Sequence, residues 1–182
     1  MKIVNYPLYD KKSLPHERQS GFDILDNVDI FHSKKVIIDS YIGTIEELTG
    51  KRITELALLD LGCSARAYSD PKKEKIDREE SNQGTITFEP WFCRAIYQLG
   101  GKIIGIDGGD LSKEKFKHYT LDLIKPESLS MFETRSIDVA CAFRFFTSPS
   151  LIGHDTTRMR KIITEQLERI VKPEGFFLIN DI

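Results

Sequence analysis

Cysteine is scarce in this chain, and that scarcity narrows its chemistry. Cys63, Cys93 and Cys141 are odd in number and widely spaced. They form neither a disulfide framework nor a Cys-x-x-Cys zinc or redox motif, which points to a reducing, cytoplasmic setting. The histidines His16, His32, His118 and His154 lack His-x-x-x-His spacing, so the sequence argues against a metal centre. An excess of one charge is also missing. The 26 basic and 28 acidic residues leave a net charge of −2, unlike a surface that coats nucleic acid. No apolar run approaches membrane-spanning length, and Met1 to Pro7 lacks the apolar core of a signal peptide. No Ser-His-Asp or Cys-His constellation stands out, and no catalytic residue is assigned. What is present is enough apolar material for a core: 182 residues, 40% hydrophobic and 30% charged.

The most informative stretch is Ala57-Leu58-Leu59-Asp60-Leu61-Gly62-Cys63-Ser64. A short apolar run ends in an acid, a glycine and small residues, as a buried strand does beneath a tight turn. Lys102 to Asp107 repeats the pattern and again ends in a carboxylate. Two such strands suggest a nucleotide-type ligand at the carboxyl edge of a parallel sheet. Tyr119 to Leu123, Ile137 to Phe143 and Phe176 to Asn180 read as three further strands.

Helices alternate with these strands. Val36, Ile37, Tyr41, Ile45 and Leu48 recur at helical spacing after Ser33, and Gly50 is a natural stop. Pro90 opens a second helix with Trp91, Phe92, Ala95, Ile96 and Leu99 on its apolar face. Met159, Ile162, Ile163, Leu167, Ile170 and Val171 mark a third, broken by Lys172-Pro173-Glu174-Gly175. The stretch from Leu111 to His118 is short for a crossover helix. The alternation predicts a doubly wound α/β fold with a mostly parallel sheet of about five strands and helices on both faces.

Two regions stand apart. Residues 1–50 read as an N-terminal arm and helical cap on a core over 51–182, with residues 1–32 irregular. A charged insertion occupies 64–87. Within it, Lys72 to Glu80 carries eight charges in nine residues, four of each sign. A solvated surface is the plain reading and a lid the sharper one. Strand 176–180 has no following segment to pair with. Its edge is expected to be covered by a second copy of the chain, a homodimer, or by the segment 1–50.

The order of these motifs resembles the class I S-adenosylmethionine-dependent methyltransferases. LLDLGCS resembles the first motif, GKIIGID the second, TLDL the adenine segment, SIDVACAF the fourth strand, and EQLERIVKPEGFFLIND the final helix, turn and strand. The likeness spans about residues 57–181. It implies S-adenosylmethionine as cofactor and a small molecule or protein side chain as methyl acceptor. Transfer would be a direct displacement, governed by alignment.

Carried over residue by residue, Asp60 would bond the cofactor's amino group directly or through water, and Gly62 would let the backbone approach the methionine moiety. Asp107 would accept from the ribose hydroxyls, with Gly108 in the adjoining turn. Asp122 would accept from the adenine amino group, and Phe143 would pack on the purine. Ser64 and Arg66 stand where the motif's second and third glycines belong; Arg66 would turn away or reach the cofactor carboxylate. Arg144 would hold an anionic substrate, or pair with a surface acid. His154 is a candidate base at the substrate edge, with helix capping by Asp155 the plainer account of that segment. Two other readings compete. One is a non-catalytic binding or regulatory protein on the same scaffold. The other is an NAD-type dehydrogenase, which lacks support because no second glycine follows Gly62 at G-x-G-x-x-G spacing.

Overall fold

The computed structural model describes residues 1–5, 25, 27–28, 32–64, 89–143, 145–147, 151 and 153–180. Six strands form one sheet: β1 (Lys2–Asn5), β2 (Ala57–Leu61), β3 (Lys102–Asp107), β4 (Lys117–Thr120), β5 (Ile137–Phe143) and β6 (Val171–Asn180). Their order is β1-β6-β5-β2-β3-β4, and every neighbouring pair is parallel. Among the described residues three α-helices accompany them: α1 (His32–Thr49), α2 (Trp91–Gln98) and α3 (Thr156–Ile170). This is the doubly wound arrangement expected from the alternation. Its order reverses between β2 and β5, where such sheets open a crevice at their carboxyl ends.

The two sheet faces carry separate cores, because adjacent residues of a strand point to opposite sides. Leu58, Ile103, Val139, Cys141, Phe176 and Leu178 face α1 and α2. Leu59, Leu61, Ala140, Ala142, Phe177 and Ile179 face α3. Continuous apolar runs such as ALLDL and IDVACAF are what a strand covered on both faces requires.

The structure corrects the sequence reading at four places. Lys2–Asn5 is a strand, not irregular chain, and pairs in register with Phe176 to Ile179. The edge of β6 is therefore covered by the chain's own N-terminal segment. Helix α1 turns Ile38, Ile42 and Ile45 inward, while Ile37 is exposed. The β4 strand ends at Thr120, so Asp122 falls in the turn beyond it. Strand β6 begins at Val171, which the sequence reading gave to the helix, and takes in Lys172 to Gly175, where it placed a break. Val171 pairs with Ile137 and Phe176 with Val139, so residues 172–175 bulge outward.

Asp138 anchors that bulge. Its carboxylate accepts from the Ala57 N–H at 2.9 Å and from the Lys172 ammonium at 2.8 Å. Gly175 fits there because a Cβ would come within 2.5 Å of the Asp138 carbonyl oxygen. Partial burial raises the Asp138 carboxyl, but Lys172 and the Ala57 N–H outweigh it and hold it below the ordinary range. Asp138→Ala leaves Lys172 and the Ala57 N–H without this partner. The expected loss is about 2 kcal/mol in urea unfolding at pH 7. A depressed carboxylate stabilises above its unfolded value, so the penalty should fade as pH drops below about 4. An unchanged urea midpoint at pH 7 would remove Asp138 from this role.

No crossover helix links β3 to β4. Residues 108–116 form a loop whose Leu111 and Phe116 are buried against α2's side of the sheet. Arg94 of α2 holds that loop through two bonds to Glu114, at 2.9 and 2.6 Å, and its guanidinium also lies over Trp91.

Candidate functional site

The site is built at the carboxyl ends of β2 and β3. Strand β2 delivers Gly62 with φ +66° and Ser64 with φ +72°. Left-handed backbone is easy for glycine and uncommon for serine. The turn is tied to β3 by two bonds. The Cys63 N–H donates to the Ile106 carbonyl at 3.0 Å, and the Ser64 N–H to Asp107 Oδ2 at 3.1 Å. Asp107 Oδ1 accepts from the Gly109 N–H at 2.9 Å. Burial raises the half-buried Asp107 carboxyl, while the N–H groups of Gly109, Ser64 and Gly108 pull the other way. The Ser64 and Gly109 N–H groups donate to different oxygens of this carboxylate.

Asp122 lies beside it. The Leu121 N–H donates to the Asp107 carbonyl at 3.0 Å, joining the exit of β4 to the end of β3. The Asp122 carboxylate accepts from the Ile124 N–H at 3.1 Å, and its side chain is 50% exposed. Gly108 is exposed in the turn between.

Asp60 sits deeper, 4% exposed, on the sheet face covered by α1 and α2. The Cys93 thiol of α2 donates to Asp60 Oδ2 at 3.4 Å. Cys141 is its register partner on β5. Gly105 is its partner on β3, and a Cβ there would meet Cys63 Sγ at 2.9 Å and Cys93 Sγ at 3.1 Å. The three thiols thus gather around one carboxyl. Burial pushes Asp60 up to about 7; the Cys93 bond opposes this and the Asp107 charge adds to it. Burial also raises Cys93 and Cys141. For Cys63, a bond with Cys93 lowers the thiol, but burial and the two carboxylates prevail and raise it. Protonated buried thiols are inert as nucleophiles. Sequence spacing did not bring these cysteines together, since the assembly needs the β2-β3-β5 register and the seating of α2.

The remaining candidates lie elsewhere or are already engaged. The Phe143 ring stacks on Tyr41 at 3.8 Å between centroids and meets Phe92 edge-on at 5.3 Å. It joins α1 to the sheet. His154 is exposed before α3, and Asp155 caps that helix by accepting from the Arg158 N–H at 2.9 Å. Arg66 and Arg144 lie outside the described residues, as does the run Lys72 to Glu80. Phe145, which the sequence reading passed over, packs on Gly62: a Cβ at Gly62 would fall within 2.8 Å of the ring's Cγ.

No family model matches the chain, and no curated protein matches it. Among solved structures, one described as "Crystal structure of trans-methyltransferase CalH complex with SAH" is similar at 14% identity with a TM-score of 0.37. The likeness covers 86% of this chain, which spans 44% of the length of that one. The fold is Rossmann-like on its own strand order. Among the described residues, no helix is long and apolar enough to cross a membrane.

Proposed function

We propose that the carboxyl edge binds S-adenosylmethionine and that the chain is a methyltransferase acting on a small molecule or protein side chain. The observation that carries the reading is Asp107. It is a half-buried carboxylate at the end of the strand next to the switch point, braced by the turn that follows β2. The N–H groups of Ser64, Gly109 and Gly108 brace the carboxylate, which keeps acceptor capacity for a ribose hydroxyl. Asp122 adds an acceptor on the next strand's exit. These residues fit an adenosyl group at its ribose and purine ends.

When bound, S-adenosylmethionine supplies an electrophilic methyl on a sulfonium centre. The chain's part is to bind and align. Asp107 fixes the ribose, and the Gly62 turn sets how closely the amino-acid end approaches the backbone. Asp60, buried beneath that turn with Cys93 as donor, provides negative field to the extent that it is ionised. Nothing in this arrangement requires a dedicated base, because displacement at a sulfonium methyl depends first on geometry.

Asp107→Ala should weaken S-adenosylhomocysteine binding by about 5- to 150-fold in isothermal titration, the range for losing charged, partly buried hydrogen bonds. Undiminished affinity would take Asp107 out of the site. Turnover of methyl-labelled S-adenosylmethionine then separates an enzyme from a binding or regulatory protein on the same scaffold. The second reading draws support from Phe145, which covers the glycine a ligand would approach. Thermal shift with NADH against S-adenosylhomocysteine tests the dehydrogenase alternative.

A further inference from the structure

The face of Gly62 is the natural place for a ligand to meet the backbone, since glycine there removes the side chain that would hold it off. A ring of the protein lies on that face instead. An ideal Cβ on Gly62 would meet Phe145 at Cδ2, at Cγ within 2.8 Å and at Cε2 within 3.0 Å. Phe145 belongs to the segment that leaves β5, across the switch point from the Asp107 strand. Its neighbour Phe146 is the fixed member of the pair. Phe146 is buried in the core on α3's side, and the Arg160 guanidinium lies over its ring at 5.0 Å. Phe145 is only half-buried; it packs at the margin of the same core and touches Phe146 edge-on at 5.1 Å. The anchored residue and the covering residue are therefore adjacent but held differently.

In the same turn, the Ser64 N–H is bonded to Asp107. A ligand whose diol sits on Asp107 and whose chain runs along the turn must occupy the face that the ring now covers. We propose that Phe145 is a gate, competing with the adenosyl ligand for the face of Gly62 so that binding requires the ring to move aside. This rests on the adenosyl-binding reading above. Its consequence is a reduced apparent affinity, set by the fraction of chains with the ring displaced, and slowed association. Glycine at position 62 then serves two occupants in turn, the ring and the ligand.

Phe145→Ala and Phe145→Leu are measured against the wild type. Titration and stopped-flow association with S-adenosylhomocysteine give Kd and on-rate, and thermal unfolding without ligand reports folding. The gate predicts tighter binding in both variants, about 5- to 50-fold for alanine and less for leucine, carried by a faster on-rate. Binding by a folded variant that equals or falls below the wild type overturns the gate and leaves the adenosyl site standing, with Phe145 merely packing. If alanine fails to fold, leucine alone decides by the same criterion. If neither wild type nor folded variants bind, both the gate and the functional reading fall. Binding by the variants alone supports both.

Discussion

The wild-type chain should lose stability as pH rises from about 4 to about 7, and Asp60→Asn should abolish most of that loss. The Asp60 carboxyl titrates near 7 when folded, against 3.8 for an ordinary aspartate. Between those values the folded state holds a proton that the unfolded chain has released. Stability conferred by the neutral form is present below the unfolded value and lost as pH climbs through the folded one. The full span corresponds to about 4 kcal/mol. The groups facing Asp60 are the thiols of Cys93 on α2, Cys63 after β2 and Cys141 on β5, with Asp107 of β3 adding negative charge. None supplies a cation. Asparagine has nearly the same shape, keeps an acceptor for the Cys93 thiol and does not titrate. Urea unfolding of both proteins at pH 5 and pH 8 makes the test. Equal slopes with pH in wild type and variant would show that Asp60 is not the group responsible. A variant that is more stable at pH 8 yet weaker toward S-adenosylhomocysteine would mark Asp60 as a residue kept for binding despite its cost to folding.

Gly105→Ala should cost about 2–3 kcal/mol through overpacking. Gly105 lies mid-strand in β3, opposite Asp60, and its φ is not the issue. The added methyl would sit 2.7 Å from Phe116 Cε2, 2.9 Å from Cys63 Sγ and 3.1 Å from Cys93 Sγ. Relief in one direction is blocked by the loop that Arg94 and Glu114 pin to α2. Adding Cys63→Ala removes one of the clashing atoms, so the double variant should lose less than the sum of the two single losses. Strict additivity of the unfolding free energies would mean that the methyl does not press on Cys63. The experiment also tests whether the thiols stand around Asp60 as described.

Much of the fold was readable because it depends on local patterns. ALLDL, KIIGID and IDVACAF are apolar runs of strand length, and the spacing of Met159, Ile163, Leu167 and Ile170 fits only a helix. Strand Lys2–Asn5 escaped notice because four residues reading polar-apolar-apolar-polar, three of them exposed, carry no period of their own. It becomes a strand by pairing with a partner more than 170 residues away, as the bond from the Met1 amino group to the Pro173 carbonyl shows. The α1 face was misread at Ile37 for a related reason. With apolar residues at both 37 and 38, helical spacing alone did not choose between them, and contact with the sheet did.

The sequence by itself determined the order of the strands and helices from α1 onward, the tight turn after β2, and the acids Asp60, Asp107 and Asp122 at or near strand ends. Those follow from periodicity and turn chemistry, which act over a few residues. Tertiary structure alone decided what each of these residues faces. It placed Asp60 among three thiols brought from a strand, a turn and a helix. It spent the Phe143 ring on Tyr41, and it laid Phe145 over Gly62. The physical reason is that side-chain surroundings in a parallel sheet come from neighbours distant along the chain. Register across β5-β2-β3 and the seating of the helices set those contacts, and no short window of sequence contains them.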